Sequence, residues 1–238
     1  MNSGLRHTEA GNPPYESAEV RMLFLDGRDD MARWAKEQPL EAEPGEKFEY
    51  SSNTTVILAD LAASALTDSS DPDTRREAVA SFLESRLFGP LDMSSMVPEF
   101  DASGTLIGGS LMHATARDWA KFGEFLRAGG KAPNGEQLVP SRWIEAMLKP
   151  SPTAQQYGYQ IWLNRPLGQK GNEWGHPLFP DRAPASMFSL IGHMGQYVLV
   201  SPEQKLTVVR LGHSTSEERP PMLQEVADVM ALYPVAGQ

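Results

Sequence analysis

Residues 44–61 read PGEKFEYSSNTTVILADL, and this stretch sets a tyrosine directly before a predicted helix. Its opening Pro-Gly predicts a turn, and the polar run after Tyr50 is typical of a helix start, with Ser52 or Asn53 as the expected cap. The N–H groups and the dipole at a helix N-terminus favour nearby anions. We therefore expect the Tyr50 phenol to be held partly ionised and to serve as a base, the alternative being a buried tyrosine beside the core.

Length and composition are those of an ordinary globular protein and exclude several functional classes. The chain has 238 residues, of which 40% are hydrophobic and 22% charged, with 21 basic and 31 acidic residues and a net charge of -10. Because the basic residues are scattered, nucleic acid and anionic membrane surfaces are not expected partners. No apolar run approaches the ~20 residues of a membrane span, and residues 1–16 lack the apolar core of a signal peptide.

Metal and cofactor sites are likewise not expected. Cysteine is absent, which excludes disulfides and thiolate ligands and leaves the compartment open. The five histidines show no pair at metal-ligand spacing. The predicted set of cofactors and metals is therefore empty.

The first two thirds of the chain predict helices. Apolar spacing favours helices from Ala18 to Leu25 and through Met31 to Ala35, capped by Asp29. Others are expected after the 44–61 turn, where apolar residues surround the helix and predict a central, buried element, and from an Asp73 cap to Gly89-Pro90. Two more are predicted from a capping box at Thr115 and Asp118, with Gly123 marking a close contact, and from a Ser141 cap.

The last third predicts a sheet closed by a helix. Tyr157–Leu163 reads as a strand, followed by a long loop over 164–184. A second strand from Met187 to Ile191 is expected to continue past a glycine bulge into residues 196–200, and residues 206–211 return as a hairpin partner. An amphipathic helix then runs from Pro221 to Leu232. This order predicts an α+β fold, helical over about 18–150, with sheet and last helix over about 155–234.

Five segments, taken in order, resemble serine hydrolases of the β-lactamase and penicillin-binding-protein type. The resemblance is to the branch with class C β-lactamases, esterases and 6-aminohexanoate-dimer hydrolases. It implies a transpeptidase-like antiparallel sheet flanked by helices, with residues 1–238 as part of one such domain. The segments are MNSGL (1–5), PGEKFEYSS (44–52), Gly109-Ser110, ATARDWAKFG (114–123) and GHMGQ (192–196) with its following hairpin.

The resemblance also implies roles for particular residues. Tyr50 takes the place of the catalytic tyrosine that moves a proton between nucleophile and leaving group, and the backbone N–H of Gln196 that of an oxyanion donor. His193 and Gly195 fall in the segment that lines the substrate. Ser52 or Asn53 stands where the family has a substrate-binding asparagine, and which of them fills that role stays open.

One family element has no counterpart in this sequence. No serine is followed three residues later by a lysine, although the family uses Ser-x-x-Lys as nucleophile and base. In the family that motif precedes the Ser-Gly-Leu loop with which this chain begins. We therefore expect a fragment that lacks the N-terminal strands and the nucleophile helix and does not turn over substrate alone.

Two functions follow as hypotheses. The first is the C-terminal part of a serine hydrolase that cleaves small-molecule amides or esters through an acyl-enzyme, the parent acting in the bacterial cytoplasm or periplasm. The second is a non-catalytic β-lactamase-like binding or scaffold protein. The sequence fixes neither the substrate nor the oligomeric state.

Overall fold

The computed structural model describes residues 1–9, 13–165 and 182–235. The chain divides into two compact units, each with its own core. Unit 1 comprises Met1–Gly89 and Ser95–Ala114, and unit 2 comprises Pro90–Ser94 and Thr115–Gln238.

Unit 1 is mainly helical. Its core joins the first three helices through a cluster that includes Met22, Met31, Val56 and Ile107. Two short strands pair antiparallel at its edge. The elements are a 3-10 turn (Pro14–Glu16), α1 (Ala18–Phe24), α2 (Met31–Lys36), α3 (Ser52–Leu66), α4 (Pro72–Leu83) with a π-helical turn (Glu84–Phe88), β1 (Val97–Pro98) and β2 (Met112–His113).

Three of the helix caps in unit 1 differ from the predicted ones by one or two positions, one of them later in the chain and two of them earlier. Asp30, not Asp29, caps α2, and Asp71, not Asp73, caps α4. Ser51 caps α3, because its Oγ accepts the N–H of Asn53 at 3.2 Å. In each case the residue that caps is the one whose side chain reaches a free N–H two or three positions on, and a run of polar residues offers several candidates for this.

Helix α3 is less buried than its sequence predicts. Val56 and Ala63 are fully buried, but Leu58 and Leu61 are 48% and 58% exposed. Only one side of the helix packs on the core of unit 1, so the prediction of a helix buried all round is wrong for this chain.

Unit 2 holds a four-stranded antiparallel sheet in the order β3-β4-β5-β6. The sequence predicts three strands here, and the sheet has four. The α+β prediction is confirmed. A cluster of Met187, Tyr197, Leu199, Leu223 and Met230 joins the sheet to the last helix. The elements are α5 (Ala116–Arg127), α6 (Ser141–Met147), β3 (Trp162–Leu163), β4 (Phe188–Gly192), β5 (Gln196–Ser201), β6 (Leu206–Arg210) and α7 (Arg219–Ala231).

Two strand predictions in unit 2 need correction. Tyr157–Leu163 is not one strand, because the chain folds back on itself and Tyr157 bridges to Trp162. Residues 192–196 form a hairpin turn instead of a bulge, since Gly192 pairs directly with Gln196. Most of the predicted loop over 164–184 lies outside the described residues.

Gly123 of α5 marks the close contact that its position predicts. A Cβ added there would lie 2.6 Å from Cγ2 of Thr207 on β6 and 3.0 Å from Cγ1 of Val198 on β5. Glycine therefore lets α5 approach the sheet. Thr115 caps α5 as predicted, with Asp118 N–H donating to its side chain.

We expect Gly123→Ala to destabilise the chain by about 1–3 kcal/mol through overpacking, even though alanine is the better helix former. Adding Thr207→Ser removes the methyl group in the way, keeps the hydroxyl that donates to Glu124, and should restore much of the loss. Urea unfolding of the two single variants and the double variant measures this. If Gly123→Ala alone is as stable as the wild type, the contact is not close.

Candidate functional site

Tyr50 lies in an extended segment that enters α3, beside the first residues of the chain. Glu49 N–H donates to the carbonyl of Met1 at 3.0 Å, and Gly45 N–H donates to Asn2 at 2.9 Å. Glu41 N–H similarly donates to Gly4 at 2.9 Å. Two of the segments that carry the family resemblance, 1–5 and 44–52, therefore run side by side in unit 1.

A buried carboxyl group stands at the start of α3. Glu9 is only 8% exposed and accepts the backbone N–H of Ser52 at 2.5 Å and the Ser52 hydroxyl at 3.0 Å. The N–H of Ser52 is one of the donors that the first turn of a helix leaves without a partner inside the helix. Glu9 thus joins the loop after residues 1–5 to the turn that carries Tyr50.

Burial governs the protonation of this group. Burial, followed by the charge of the neighbouring Glu19 carboxylate, raises the pKa of Glu9 to about 8, although hydrogen bonds from Ser52 and Ser51 oppose the shift. Burial also raises the pKa of Glu19. Two negative charges on neighbouring buried carboxyl groups repel each other and are poorly solvated. The pair therefore retains a proton at neutral pH.

The Tyr50 phenol is neutral in this environment. Burial, followed by the charges of Glu9 and Glu19, raises its pKa above the ordinary value. The expected partial ionisation is therefore wrong for this chain. The first turn of α3 already directs its N–H groups to Glu9 and Ser51, and its dipole does not outweigh burial beside two acids.

Ser52 and Asn53 both point into unit 1. Ser52 is 4% exposed, and its Oγ donates to Glu9. Asn53 is fully buried, and its Nδ2 donates to the Ser51 hydroxyl at 2.9 Å, while its Oδ1 has no hydrogen-bond partner in the described part of the chain. The substrate contact predicted for one of these two residues stays a prediction.

A third segment of the resemblance also reaches the start of α3. A Cβ added to Gly109 would lie 2.7 Å from the Cβ of Ser52, so only glycine fits there. Ser52 Oγ also lies 3.4 Å from the Gly109 carbonyl oxygen. Segments 1–5, 44–52 and 109–110 thus meet around one helix N-terminus.

The predicted substrate-lining residues of unit 2 form the β4–β5 turn. His193 and Gln196 are exposed, and Gly195 is buried with φ +87°. Gln196 Nε2 donates to the His193 carbonyl at 3.3 Å. Tyr50, Ser52 and Asn53 belong to unit 1 and these residues to unit 2, so the convergence of the two groups stays a prediction.

Sequence reasoning missed Glu9 and Glu19. A glutamate in a loop or near the start of a short helix usually reads as a solvated charge, and neither residue stands in a recognisable motif. The one signal within the sequence is that Glu9 follows the Ser-Gly-Leu segment by a few residues. Its partner, Ser52, is more than forty positions away, and only the fold brings them together.

Residues 1–9, 13–165 and 182–235 contain no cluster of three or more His, Asp or Glu side chains arranged to hold a metal ion. Within the same ranges no helix has the length and apolar character needed to cross a bilayer.

Comparison with solved structures identifies proteins of the same fold. A protein described as a 6-aminohexanoate-dimer hydrolase from Bacillus anthracis superposes with a TM-score of 0.66 at 19% identity, over 98% of this chain and 58% of that one. A beta-lactamase from Mycobacterium bovis gives 0.58 at 15% identity, over 96% and 78%. Simvastatin synthase from Aspergillus terreus gives 0.55 at 14% identity, over 98% and 65%.

These identities establish the fold alone, and the chain spans 58% of the length of the Bacillus anthracis protein. No curated protein matches the sequence. The family model described as Beta-lactamase matches residues 1–231, nearly the whole sequence. The resemblance found in the sequence is thereby confirmed, and the chain belongs to the beta-lactamase family.

Proposed function

We propose that this chain is the C-terminal part of a serine hydrolase that cleaves small-molecule amide or ester bonds through an acyl-enzyme. The observation that carries the proposal is the meeting of segments 1–5, 44–52 and 109–110 around the start of α3, with Tyr50 at its centre. Family membership supports it. The chain by itself has no Ser-x-x-Lys and does not turn over substrate.

In the complete enzyme Tyr50 acts as the base that receives the proton of the serine hydroxyl. The serine oxygen then bonds to the substrate carbonyl carbon, and the carbonyl oxygen becomes an oxyanion that the N–H of Gln196 stabilises. Tyr50 returns the proton to the departing nitrogen or oxygen. Water then attacks the acyl-enzyme by the same route and releases the acid.

The neutral phenol of this chain is consistent with a missing cation. A base must lose its proton near neutral pH, and a nearby ammonium group lowers the pKa of a phenol. The lysine of Ser-x-x-Lys is such a group, and it also offsets the one negative charge that Glu9 and Glu19 share. His193 lines the substrate in this proposal.

The substrate class follows from the chemistry of the acyl-enzyme. β-Lactams, short esters, D-amino acid peptides and linear or cyclic amides all present a carbonyl carbon to a serine. A chromogenic panel covering these classes, assayed on the complete protein, identifies the substrate.

A second candidate is a non-catalytic binding or scaffold protein, favoured by the lack of Ser-x-x-Lys in the sequence. Reading the coding frame upstream of Met1 separates the two. An in-frame Ser-x-x-Lys supports the hydrolase, and a stop codon close upstream supports the scaffold.

We expect Tyr50→Phe in the protein extended by that upstream frame to lower turnover of a p-nitrophenyl ester more than ~10²-fold, as loss of a general base does. Tyr15→Phe, at a tyrosine that is 64% exposed, is the matched control and should leave turnover unchanged. Equal turnover in wild type and Tyr50→Phe removes Tyr50 from the mechanism.

We expect the stability of the chain to fall as pH rises from 4.5 to about 8. The folded state holds the Glu9 proton over this window and the unfolded state does not, so the stabilisation is complete below the unfolded pKa and lost as pH passes the folded one. Each unit of pKa difference corresponds to about 1.4 kcal/mol. Urea unfolding midpoints across the window measure the slope.

Glu9→Gln should flatten that slope, because the amide keeps an acceptor for Ser52 and cannot ionise. Glu43→Gln, at an exposed glutamate of the same unit, should leave the slope as it is. A Glu9→Gln profile as steep as that of the wild type would show that another group controls it.

A further inference from the structure

The face of the sheet that packs against α7 becomes polar at one end. Along most of its length this face is apolar and joins the last helix in the core of unit 2. At the end next to the β4–β5 turn it carries the Tyr197 hydroxyl on β5 and Arg210 on β6. These two residues are direct cross-strand partners, so their side chains lie on the same face as neighbours.

A second guanidinium group reaches this end of the sheet from α7. Arg219 is the first residue of that helix, and its side chain packs under the turn, since a Cβ added to Gly195 would lie 3.3 Å from Arg219 Cγ. Burial raises the pKa of Tyr197, and the charges of Arg219 and Arg210 oppose the rise. The phenol oxygen therefore lies close to two cationic groups.

Two polar atoms in this place have no hydrogen-bond partner. Tyr197 is 2% exposed, and its hydroxyl is buried and unpartnered in the described part of the chain. The Nε of Arg219 is also buried and unpartnered among those residues. The Nε–H of arginine can only donate, and a buried donor without an acceptor costs free energy. The missing component is therefore an acceptor.

The acceptors that hold Arg210 are neutral. Its Nη1 donates to the carbonyl of Gly195 at 2.8 Å and to that of Gly212. Its Nη2 donates to the Ser214 hydroxyl at 2.6 Å. These contacts fix the guanidinium in place without neutralising its charge.

The acidic residue next to Arg219 in the sequence is directed elsewhere. Glu218 is exposed, and its Oε2 accepts the N–H of Thr215 at 2.8 Å. Hydrogen bonds from Thr215, followed by the charges of His213 and Arg210, lower the pKa of this carboxyl group. Glu218 thus offsets part of the positive charge from the solvent side and leaves the Nε of Arg219 without an acceptor.

We propose that Tyr197, Arg210 and Arg219 form a binding site for a small oxyanion, such as inorganic phosphate or acetate. Its oxygens accept the Tyr197 hydroxyl and the Nε–H of Arg219, and the charge of Arg210 adds to the attraction. Guanidinium groups suit this ligand because two parallel N–H donors match two oxygens. A water molecule would accept the same hydrogen bonds but would bring no negative charge to the two guanidinium groups.

The surroundings of the site favour a small ligand. Tyr197 is enclosed, whereas Arg219 is only half-buried and Met194 at the tip of the turn is 39% exposed. A single carboxylate or phosphate group can therefore reach the phenol from the guanidinium side. The site belongs wholly to unit 2, and it goes beyond the proposed function and does not rest on it.

Urea unfolding of the 238-residue chain in sodium phosphate, sodium acetate or sodium chloride of equal ionic strength tests the site. A ligand that binds only the folded state raises the unfolding midpoint as its concentration increases. We expect phosphate or acetate to raise the midpoint above its value in chloride, and the larger response identifies the preferred oxyanion. Equal midpoints in the three salts overturn the proposal.

Variants separate binding from the general stabilisation that phosphate gives folded proteins. Arg219→Met should reduce the response to that general effect, and Tyr197→Phe should weaken the apparent affinity about three- to tenfold, as loss of one hydrogen bond does. Arg142→Met, at an exposed arginine of α6, should respond as the wild type does. A wild-type response in folded Arg219→Met, or in folded Tyr197→Phe if Arg219→Met does not fold, overturns the proposal.

Stability without the oxyanion gives a second readout. In chloride, Arg219→Met and Tyr197→Phe should each be at least as stable as the wild type, because each removes a buried polar atom that has no partner. If both variants are less stable than the wild type in chloride, the two atoms already have partners and the proposal fails.

NMR of the 15N-arginine-labelled chain observes the donor directly. The Nε–Hε signal that is absent from Arg219→Lys belongs to Arg219. We expect this signal to move saturably with phosphate or acetate and to stay in place with chloride, and an unmoved signal overturns the proposal. None of these measurements uses catalysis, so they are decided separately from the proposed function.

Discussion

The hydrogen bonds between Glu9 and Ser52 are the constraint on which unit 1 depends most. They close the loop that follows the first residues of the chain onto the first turn of α3, and they use a helix N–H that otherwise lacks a partner. Since Glu9 is buried beside Glu19, the pair of carboxyl groups retains a proton at neutral pH. The same contact therefore sets the position of the Tyr50 turn and the electrostatic field around the phenol.

That field explains why a position at a helix N-terminus does not by itself make Tyr50 a base. The dipole at the start of α3 favours anions by a modest amount. Glu9 already accepts the N–H of Ser52, and the Ser51 hydroxyl accepts that of Asn53. Burial and two acidic neighbours act against the phenolate and prevail. In the proposed enzyme, the cation that lowers the pKa of this phenol is the lysine of Ser-x-x-Lys.

Much of the fold was predictable from local sequence rules. The α5 cap at Thr115, the tight packing of Gly123 and the hairpin that pairs residues 206–211 with residues 196–200 follow from patterns within a few positions. The Tyr50 ionisation and the buried Glu9 were not, because they depend on residues more than forty positions apart. The 192–196 turn was misread as a bulge, since two glycines in a strand-like run are compatible with either until the pairing partner is known.

The proposed function requires that Tyr50 and the β4–β5 turn face the same substrate. Because the chain has no cysteine, an introduced pair of thiols can be cross-linked cleanly. A short bismaleimide should bridge Tyr50→Cys with Gln196→Cys. It should not bridge Tyr50→Cys with Glu203→Cys, because Glu203 lies just past the other end of β5, about 20 Å from Gln196. Mass spectrometry of the intramolecular products reads the result. The account is contradicted if the variant with Cys at positions 50 and 203 is bridged and the variant with Cys at positions 50 and 196 is not.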